Sequence, residues 1–352
     1  PGNPGISKLA ACHAGNPSDP FQMTALCKRL DIDLVFIGPE APLVAGTADA
    51  LRAAGILVMG PGKLGAQLEG SKIFSKNFMK KHGIPTSSFE CCQTIEECGA
   101  AVDRRSAPYV VKADGLASGK GAFLLDTKEE AMTVCSMMLD DMILGSAGKN
   151  IIVEDFVEGQ EMTILAITDG ETVRILPSSQ DHKRALDGDK GNNTGGMGAY
   201  SPVPWVDNAF LKKVEDIVLM PTLEGLKKEG IPFCGVIYIM IKPDGSLSVL
   251  EYNVRLGDPE AQVVLPVFGG DFGEAIFACC KGDLSKAEWP APERVALGVV
   301  MASGGYPDKY QTGYEIVIRD EEVHDTYIYH AGTAHDNTGT LVTSGGRVLT
   351  VV

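Results

Sequence analysis

Two short apolar runs with one helix-length segment between them constrain this chain more than any other feature. Residues 33–38 (Asp-Leu-Val-Phe-Ile-Gly) read as a buried strand, residues 48–54 as a helix ended by Gly55, and Leu57-Val58-Met59 as the next strand. A helix in the crossover makes the two strands parallel, and a parallel sheet needs cover on both faces. The expected class is therefore α/β. The Pro39-Glu40-Ala41-Pro42-Leu43 stretch between strand and helix reads as a loop. No strand with a glycine-rich phosphate loop precedes this unit, and the chain opens in a turn-like Pro1-Gly2-Asn3-Pro4-Gly5. The unit is thus expected to lack its first strand, and the working polypeptide to extend beyond these residues.

With 352 residues and 44% hydrophobic content the chain exceeds one core and should divide into two or three lobes. The net charge of −15 argues against nucleic acid as a partner, because phosphate backbones demand clustered Lys and Arg. No run of about 18 apolar residues is present, and no basic segment leads into an apolar one at the start, so no membrane partner and a cytoplasmic location are expected. Nine cysteines include the adjacent pairs Cys91-Cys92 and Cys279-Cys280 but no Cys-x-x-Cys, and read as reduced packing thiols.

Ser71 caps a helix over residues 72–82, with Phe74, Phe78 and Met79 on one face and Gly83 and Pro85 as its stop. Thr94-Ile-Glu-Glu97 and Thr127-Lys-Glu-Glu130 are capping boxes that each start a helix, with strands expected over 109–112 and 122–125. Between those strands lies Ala113-Asp-Gly-Leu-Ala-Ser-Gly-Lys-Gly121. Its glycines permit close backbone approach, and its amides, with Lys120 and with Lys112 from the preceding strand, can surround anionic oxygens. It is not a Walker A loop, since the spacing of Gly115 and Gly119 is too short and Gly121 stands where Ser or Thr is required. Residues 151–157, 161–168 and 172–176 read as a hairpin meander. Residues 180–201 mix acids, bases, an imidazole and glycines without hydrophobic periodicity and read as a functional loop. Asp187-Gly-Asp189 does not begin an EF-hand, because Gly191 and Gly198 fall on ligand positions. A long helix over 210–229 should kink or break at Pro221, and residues 235–242 and 248–254 form a hairpin through Pro243-Asp-Gly245.

That hairpin delivers the chemistry. In Leu250-Glu-Tyr-Asn-Val-Arg-Leu-Gly-Asp-Pro-Glu260, Glu251, Asn253 and Arg255 alternate onto one face before Gly257-Asp258-Pro259 ends the strand. A carboxylate and an amide oxygen two residues apart suit Mg²⁺ or Mn²⁺, and the guanidinium beside them suits an anion. Beyond it come a helix over 271–281, a linker at Trp289-Pro-Ala-Pro292, and a β-rich end with strands expected over 296–301, 314–318, 327–329 and 347–352.

The order of seven motifs resembles the glycinamide ribonucleotide synthetase family of ATP-grasp ligases: Gly38-Pro-Glu-Ala-Pro-Leu43, Gln67-Leu-Glu-Gly-Ser-Lys72, Val111 to Gly121, Gln180-Asp-His-Lys-Arg184, Asn193-Thr-Gly-Gly-Met-Gly-Ala-Tyr-Ser-Pro202, Arg255-Leu-Gly-Asp-Pro-Glu260 and His330-Ala-Gly-Thr333. The resemblance implies an ATP-grasp fold with an incomplete N-terminal Rossmann-like domain (1–66), an ATP-grasp domain (67–292, its lid at about 86–150) and a small C-terminal β-rich domain (293–352). It implies ATP-dependent ligation of glycine to 5-phosphoribosylamine through glycyl phosphate, within purine biosynthesis, and leaves open whether the chain is part of a multifunctional purine-biosynthesis polypeptide. Ser118 stands where the family has Ala, the strand at 238–241 looks short, and both ends lack family segments. Another ATP-grasp carboxylate–amine ligase and a silent nucleotide-binding fragment are the competing readings.

The resemblance also implies site residues. Lys72 and Lys112 match lysines on the nucleotide phosphates, and Gly119, Lys120 and Gly121 match the lid loop over them. Glu154, Asp155, Phe156 and Val157 match the hinge facing adenine, Glu161 the ribose-binding carboxylate, and Arg184 and Asn193 further ATP contacts. Glu251 and Asn253 match the metal ligands. Arg255, Gly257 and Asp258 are expected on the glycine or phosphoribosyl side, with Asp181, His182, Gly195, Gly196 and Met197 shaping that end; Arg255, Asp258 and Lys112 are the expected catalytic residues.

Overall fold

The computed structural model describes residues 2–116, 121–243, 247–319 and 324–352. Leu34–Phe36 and Leu57–Met59 pair in parallel, Leu34 opposite Leu57. Their crossover holds two helices where one was expected. Glu40–Ala45 forms over the stretch that reads as a loop, because Pro42 sits in its first turn, where a missing N–H costs no hydrogen bond. Gly46, at φ 90°, ends that helix and starts Thr47–Ala53. Two helices with no apolar periodicity to announce them, Pro4–Ser7 and Pro20–Arg29, precede this unit, capped by Asn3 and Asp19.

The expected caps form. Ser71 accepts from the Phe74 N–H to start Lys72–Lys81, and both threonine capping boxes close, on Ile95–Asp103 and Lys128–Leu139. Those last two helices bury Cys98, Ala101, Val102, Ala131, Cys135 and Met138 against a four-stranded antiparallel sheet. Its strand order is Phe89–Cys92, Ile151–Asp155, Tyr109–Ala113, Ala122–Leu125. These elements form the lobe expected as the lid.

A second antiparallel sheet, in the order Leu247–Asn253, Gly235–Pro243, Met162–Thr168, Val173–Ile175, forms the floor. Ile151–Asp155 and Met162–Thr168 therefore do not form the expected hairpin. The first is paired on both sides within the lid, to Phe89–Cys92 and Tyr109–Ala113, and has no free edge for a third partner. Residues 156–161 instead carry the chain from one sheet to the other.

Residues 180–201 are not a loop but four short strands. Arg184–Leu186 and Lys190–Asn193 form an exposed hairpin. Gln180–Asp181 and Gly198–Ser201 complete a five-stranded sheet with Ala296–Ala302, Arg347–Val351 and Ile328–His330. A Cβ on Gly198 would fall 2.6 Å from the Gly298 carbonyl oxygen, so the glycines that disguise this strand are what let it pair. The helix expected over 210–229 is interrupted: Asn208–Val214 passes through a π turn, Glu215–Leu219, into Met220–Lys228 just before Pro221. No strand forms at 314–318, which makes a single bridge from Glu315 to Val342 and leaves Tyr314 and Val317 exposed. A short hairpin, Thr333–His335 with Leu341–Thr343, appears instead. Trp289 pins the expected linker by donating to the Ile175 carbonyl at 2.6 Å and packing edge-on against Phe268. Among the described residues no single helix is long and apolar enough to cross a membrane.

Candidate active site

Floor, lid and the first and last lobes enclose one cavity of about 660 Å³. On its lid side, Glu154 on strand Ile151–Asp155 is 2% exposed and holds two lysines. Lys76, one helical turn after Lys72, reaches Glu154 at 2.5 Å and donates to Thr86 and Ser87, each at 2.8 Å. Lys112 pairs with the other carboxylate oxygen of Glu154. Burial opposes charge on Glu154, yet the two ammonium groups hold it at about 2. Burial likewise works against Lys112, but Glu154 and Glu251 raise it overall. Asp114, at the root of the glycine loop, accepts from Ser71 Oγ and the Ile73 N–H, both at 2.8 Å, so the loop is tied to the helix start that carries Lys72. Leu116 and Gly121 line the cavity; the expected Gly119 and Lys120 lie outside the described residues.

On the floor the spacing of Glu251 and Asn253 survives a bulge. Ile241 pairs with Val249 and Met240 with Glu251, so Leu250 is the extra residue and the alternation restarts at Glu251. Both side chains line the cavity with Arg255. Burial would raise the Glu251 carboxyl, but Lys72, Lys112, Lys183 and Arg255 surround it and bring it below the ordinary value. Among the described residues none of these cations is within ion-pair distance of it. An ionised carboxylate left uncrossed, beside the amide oxygen of Asn253, is a fitting pair of hard donors for Mg²⁺ or Mn²⁺. No group of three or more His, Cys, Asp or Glu ligands exists among the described residues, so any ion would complete its shell from water and substrate.

Arg255 lies just past the strand and is already held. Its guanidinium meets Glu69 at 3.0 Å and Glu40 at 3.4 Å, which explains the Gly38-Pro39-Glu40 motif. Glu69 also accepts from the Val254 N–H at 2.8 Å; burial pushes its carboxyl up to about 6 against the pull of Arg255.

The third wall comes from residues 180–195, the Gly257–Glu260 turn and the last lobe. Asp181, Asn193, Gly195, Gly257 and Asp258 line the cavity as expected. Arg184 does not: it donates to the Gly191 carbonyl inside its own hairpin. Lys183 takes its place, 3.5 Å from Asp181 and 3.8 Å from Glu161. His182 is exposed and meets the Gly198 and Met197 backbones through its own, while Gly196 and Met197 lie behind the lining. Gly196, at φ 112°, has no room for a Cβ, which would lie 2.4 Å from the Pro259 ring. Asp258 is not free: Arg347 donates to its carboxylate and its carbonyl, both at 2.8 Å, and to the Gly195 carbonyl. Phe156 and Val157 sit just outside the cavity, held by Lys242, whose ammonium stacks over the Phe156 ring, donates to the Val157 carbonyl at 2.9 Å and stands 3.6 Å from the expected ribose carboxylate Glu161.

Sequence reading therefore missed Lys76, Lys183, Glu69, Arg347, Tyr238 and Glu260. Two carried a usable signal, since Lys76 shares a helix face with Lys72 and Lys183 alternates with Asp181.

Three family models tile the chain: Phosphoribosylglycinamide synthetase, N domain over residues 1–69, its ATP-grasp (A) domain over 70–261 and its C domain over 296–352. A phosphoribosylamine–glycine ligase of Halalkalibacterium halodurans is 44% identical across all of this chain and 82% of its own length. A bifunctional purine biosynthetic protein of Pichia angusta is 42% identical over 99% of this chain, which spans 45% of that longer protein. The crystal structure of phosphoribosylamine–glycine ligase from Thermotoga maritima superposes with a TM-score of 0.87 at 36% identity, covering 99% of this chain and 84% of that one.

Proposed function

The chain belongs to the phosphoribosylglycinamide synthetase family, and from that membership we propose how its cavity carries out the ligation of glycine to 5-phosphoribosylamine. The overall reaction belongs to purine biosynthesis and consumes ATP, giving glycinamide ribonucleotide, ADP and phosphate. It needs the glycine carboxylate activated by phosphorylation and then attacked by the amine, with no covalent enzyme intermediate. The protein's task is to place charge and exclude water.

In this reading Lys72 and Lys112 bind the polyphosphate, with Leu116 and Gly121 lining the same cavity. The backbone of residues 154–157 faces adenine, and Glu161 takes the ribose. Glu251 and Asn253 hold Mg²⁺ or Mn²⁺, which when bound neutralises phosphate charge. Arg255, set by Glu40 and Glu69 and donating to the Leu256 carbonyl and Asn253 Oδ1, presents its positive charge to the carboxylate or acyl phosphate. Asp258 acts with Arg347 to hold the Gly195 and Gly257 turns around the acyl acceptor. The observation that carries the reading is Glu251, ringed by four cations and bridged to none among the described residues.

Without an added trapping nucleophile such as hydroxylamine, phosphate release from ATP should require both glycine and phosphoribosylamine. Release driven by a different acid, or by a metabolic amine other than phosphoribosylamine, would instead favour another ATP-grasp ligase. The reading also takes in a cytoplasmic enzyme, checked by fractionation, and a chain working beside a second purine enzyme in one polypeptide, checked by the mass of the endogenous protein.

A further inference from the structure

One buried ionisable group facing the cavity has no part in the scheme above. Glu260 opens helix Glu260–Val267 directly after the Gly257-Asp258-Pro259 turn; it is 3% exposed and lines the cavity. Its Oε1 accepts from the Tyr238 hydroxyl at 2.8 Å, and the Thr163 hydroxyl, which also donates to Tyr238, stands 3.5 Å away. Gly257 gives it room, since a Cβ there would fall 2.4 Å from Oε2.

Among the other cavity carboxylates, Glu251 is assigned to the metal in that scheme and the rest are paired with cations. Glu40 and Glu69 hold Arg255, Glu161 and Asp181 flank Lys183, and Asp258 holds Arg347. Among the described residues Glu260 meets no cation within ion-pair distance, and its side-chain partners are the Tyr238 and Thr163 hydroxyls. The charged and titratable groups that face it are Tyr238 from strand Gly235–Pro243, Asp181 and Lys183 from the 180–183 segment, and Arg255. From Gly198–Ser201, which packs on its helix, the Tyr200 hydroxyl turns away to Gln180, and Ala296–Ala302 brings no charged side chain. Burial first, then Asp181, push its carboxyl up to about 7, with Lys183 acting the other way.

We propose that Glu260 is the proton acceptor for the attacking amine. The inference rests on the ligation described above. The amine nitrogen of phosphoribosylamine forms a bond to the glycyl carbonyl carbon, and the carbon–oxygen bond to phosphate breaks, its electron pair leaving with inorganic phosphate. The proton displaced from nitrogen passes to the Glu260 carboxylate and from there to water. Lys112, Lys183 and Arg255 are held in their charged forms by the carboxylates around them and cannot accept it, whereas a carboxylate raised to about 7 both accepts and releases a proton at working pH.

Glu260→Gln keeps a partner for Tyr238 and removes the base, and two reactions of the full chain separate its roles. Ligation of glycine to phosphoribosylamine should fall by about 10²-fold or more. ATP-dependent trapping of glycyl phosphate by hydroxylamine, a stronger nucleophile, should persist at the wild-type rate. Wild-type ligation should decline as pH falls below about 7, the variant should lose that limb, and Glu260→Asp should restore part of the rate. Equal loss in both reactions, or ligation unchanged with its acid limb intact, overturns the proposal. If wild type ligates yet traps no hydroxamate, glycyl phosphate is the idea that fails, and the ligation rate and acid limb of Glu260→Gln still decide the role of Glu260.

Discussion

The lid and the floor of the cavity handle buried charge in opposite ways. On the lid side Glu154 is crossed by Lys76 and Lys112 before any ligand arrives, and its carboxyl is drawn down to about 2. On the floor Glu251 stands among four cations without touching one among the described residues, while Glu69 and Glu260 are pushed up to about 6 and 7. The lid cluster, one carboxylate held between two ammonium groups, is paired before ligand arrives and so maintains shape, with one positive charge in surplus. The floor is left incomplete in charge, which suits it to receive ligand. A buried pair strengthens folding only while both partners remain, whereas an unfilled set of charges costs stability and gains binding.

The largest test is to break the lid balance. Glu154→Leu leaves Lys76 and Lys112 buried without a counter-charge, and should cost about 3–5 kcal/mol of folding stability. Chemical denaturation measures it; a loss below about 1 kcal/mol would mean that the lysines escape to solvent and the lid is not a closed unit. The comparison predicts the reverse for Glu251→Gln. Turnover should drop by at least ~10²-fold, worth about 2.7 kcal/mol of barrier, with folding unchanged. Full activity with unaltered dependence on divalent metal would remove Glu251 from the site.

How far the sequence foretold this contrast depends on whether a signal is local. Capping boxes at Thr94 and Thr127, the parallel pair at 34–59 and the hairpin bearing Glu251 are set by neighbours within a few residues, and they were legible. Glu40–Ala45 was not, because its prolines imitate a loop while serving as a helix start. The split of 151–155 and 162–168 between two sheets was hidden too, since a turn between two apolar runs looks the same whether or not they pair. In the site, residues on one strand face declared themselves. Glu69 and Arg347 did not, as each meets its partner across a long stretch of sequence and only the fold makes them neighbours.

The two walls should also respond to pH with opposite sign. Glu154, lowered in the folded state, contributes stability that is present above pH 4.5 and lost as pH falls toward about 2. Glu69, raised from 4.5 to about 6, contributes stability that is present below pH 4.5 and lost as pH rises through about 6. A shift of that size corresponds to about 2 kcal/mol. Glu69→Gln removes the titration, so the stability difference between variant and wild type should change by that amount between pH 4.5 and 7.5. A constant difference across the range would mean that Arg255 keeps Glu69 ionised throughout and that the floor is balanced like the lid.

The smallest effect expected is at Arg347, which tests whether the last lobe serves the floor. Its guanidinium bridges the Gly195 turn and Asp258 at the cavity rim, with its side chain 21% exposed, so each contact is shared with water. Rim pairs of this kind contribute at most about 1 kcal/mol, equivalent to roughly fivefold in an equilibrium. Arg347→Gln should therefore raise the KM for phosphoribosylamine by about that factor. The KM for ATP should stay constant, because Lys72, Lys112 and Glu161 lie on other elements. Parallel rises in both KM values would show that Arg347 supports the cavity as a whole, and the distinction between a ligand-completed floor and a self-balanced lid would then extend to a third wall that depends on neither.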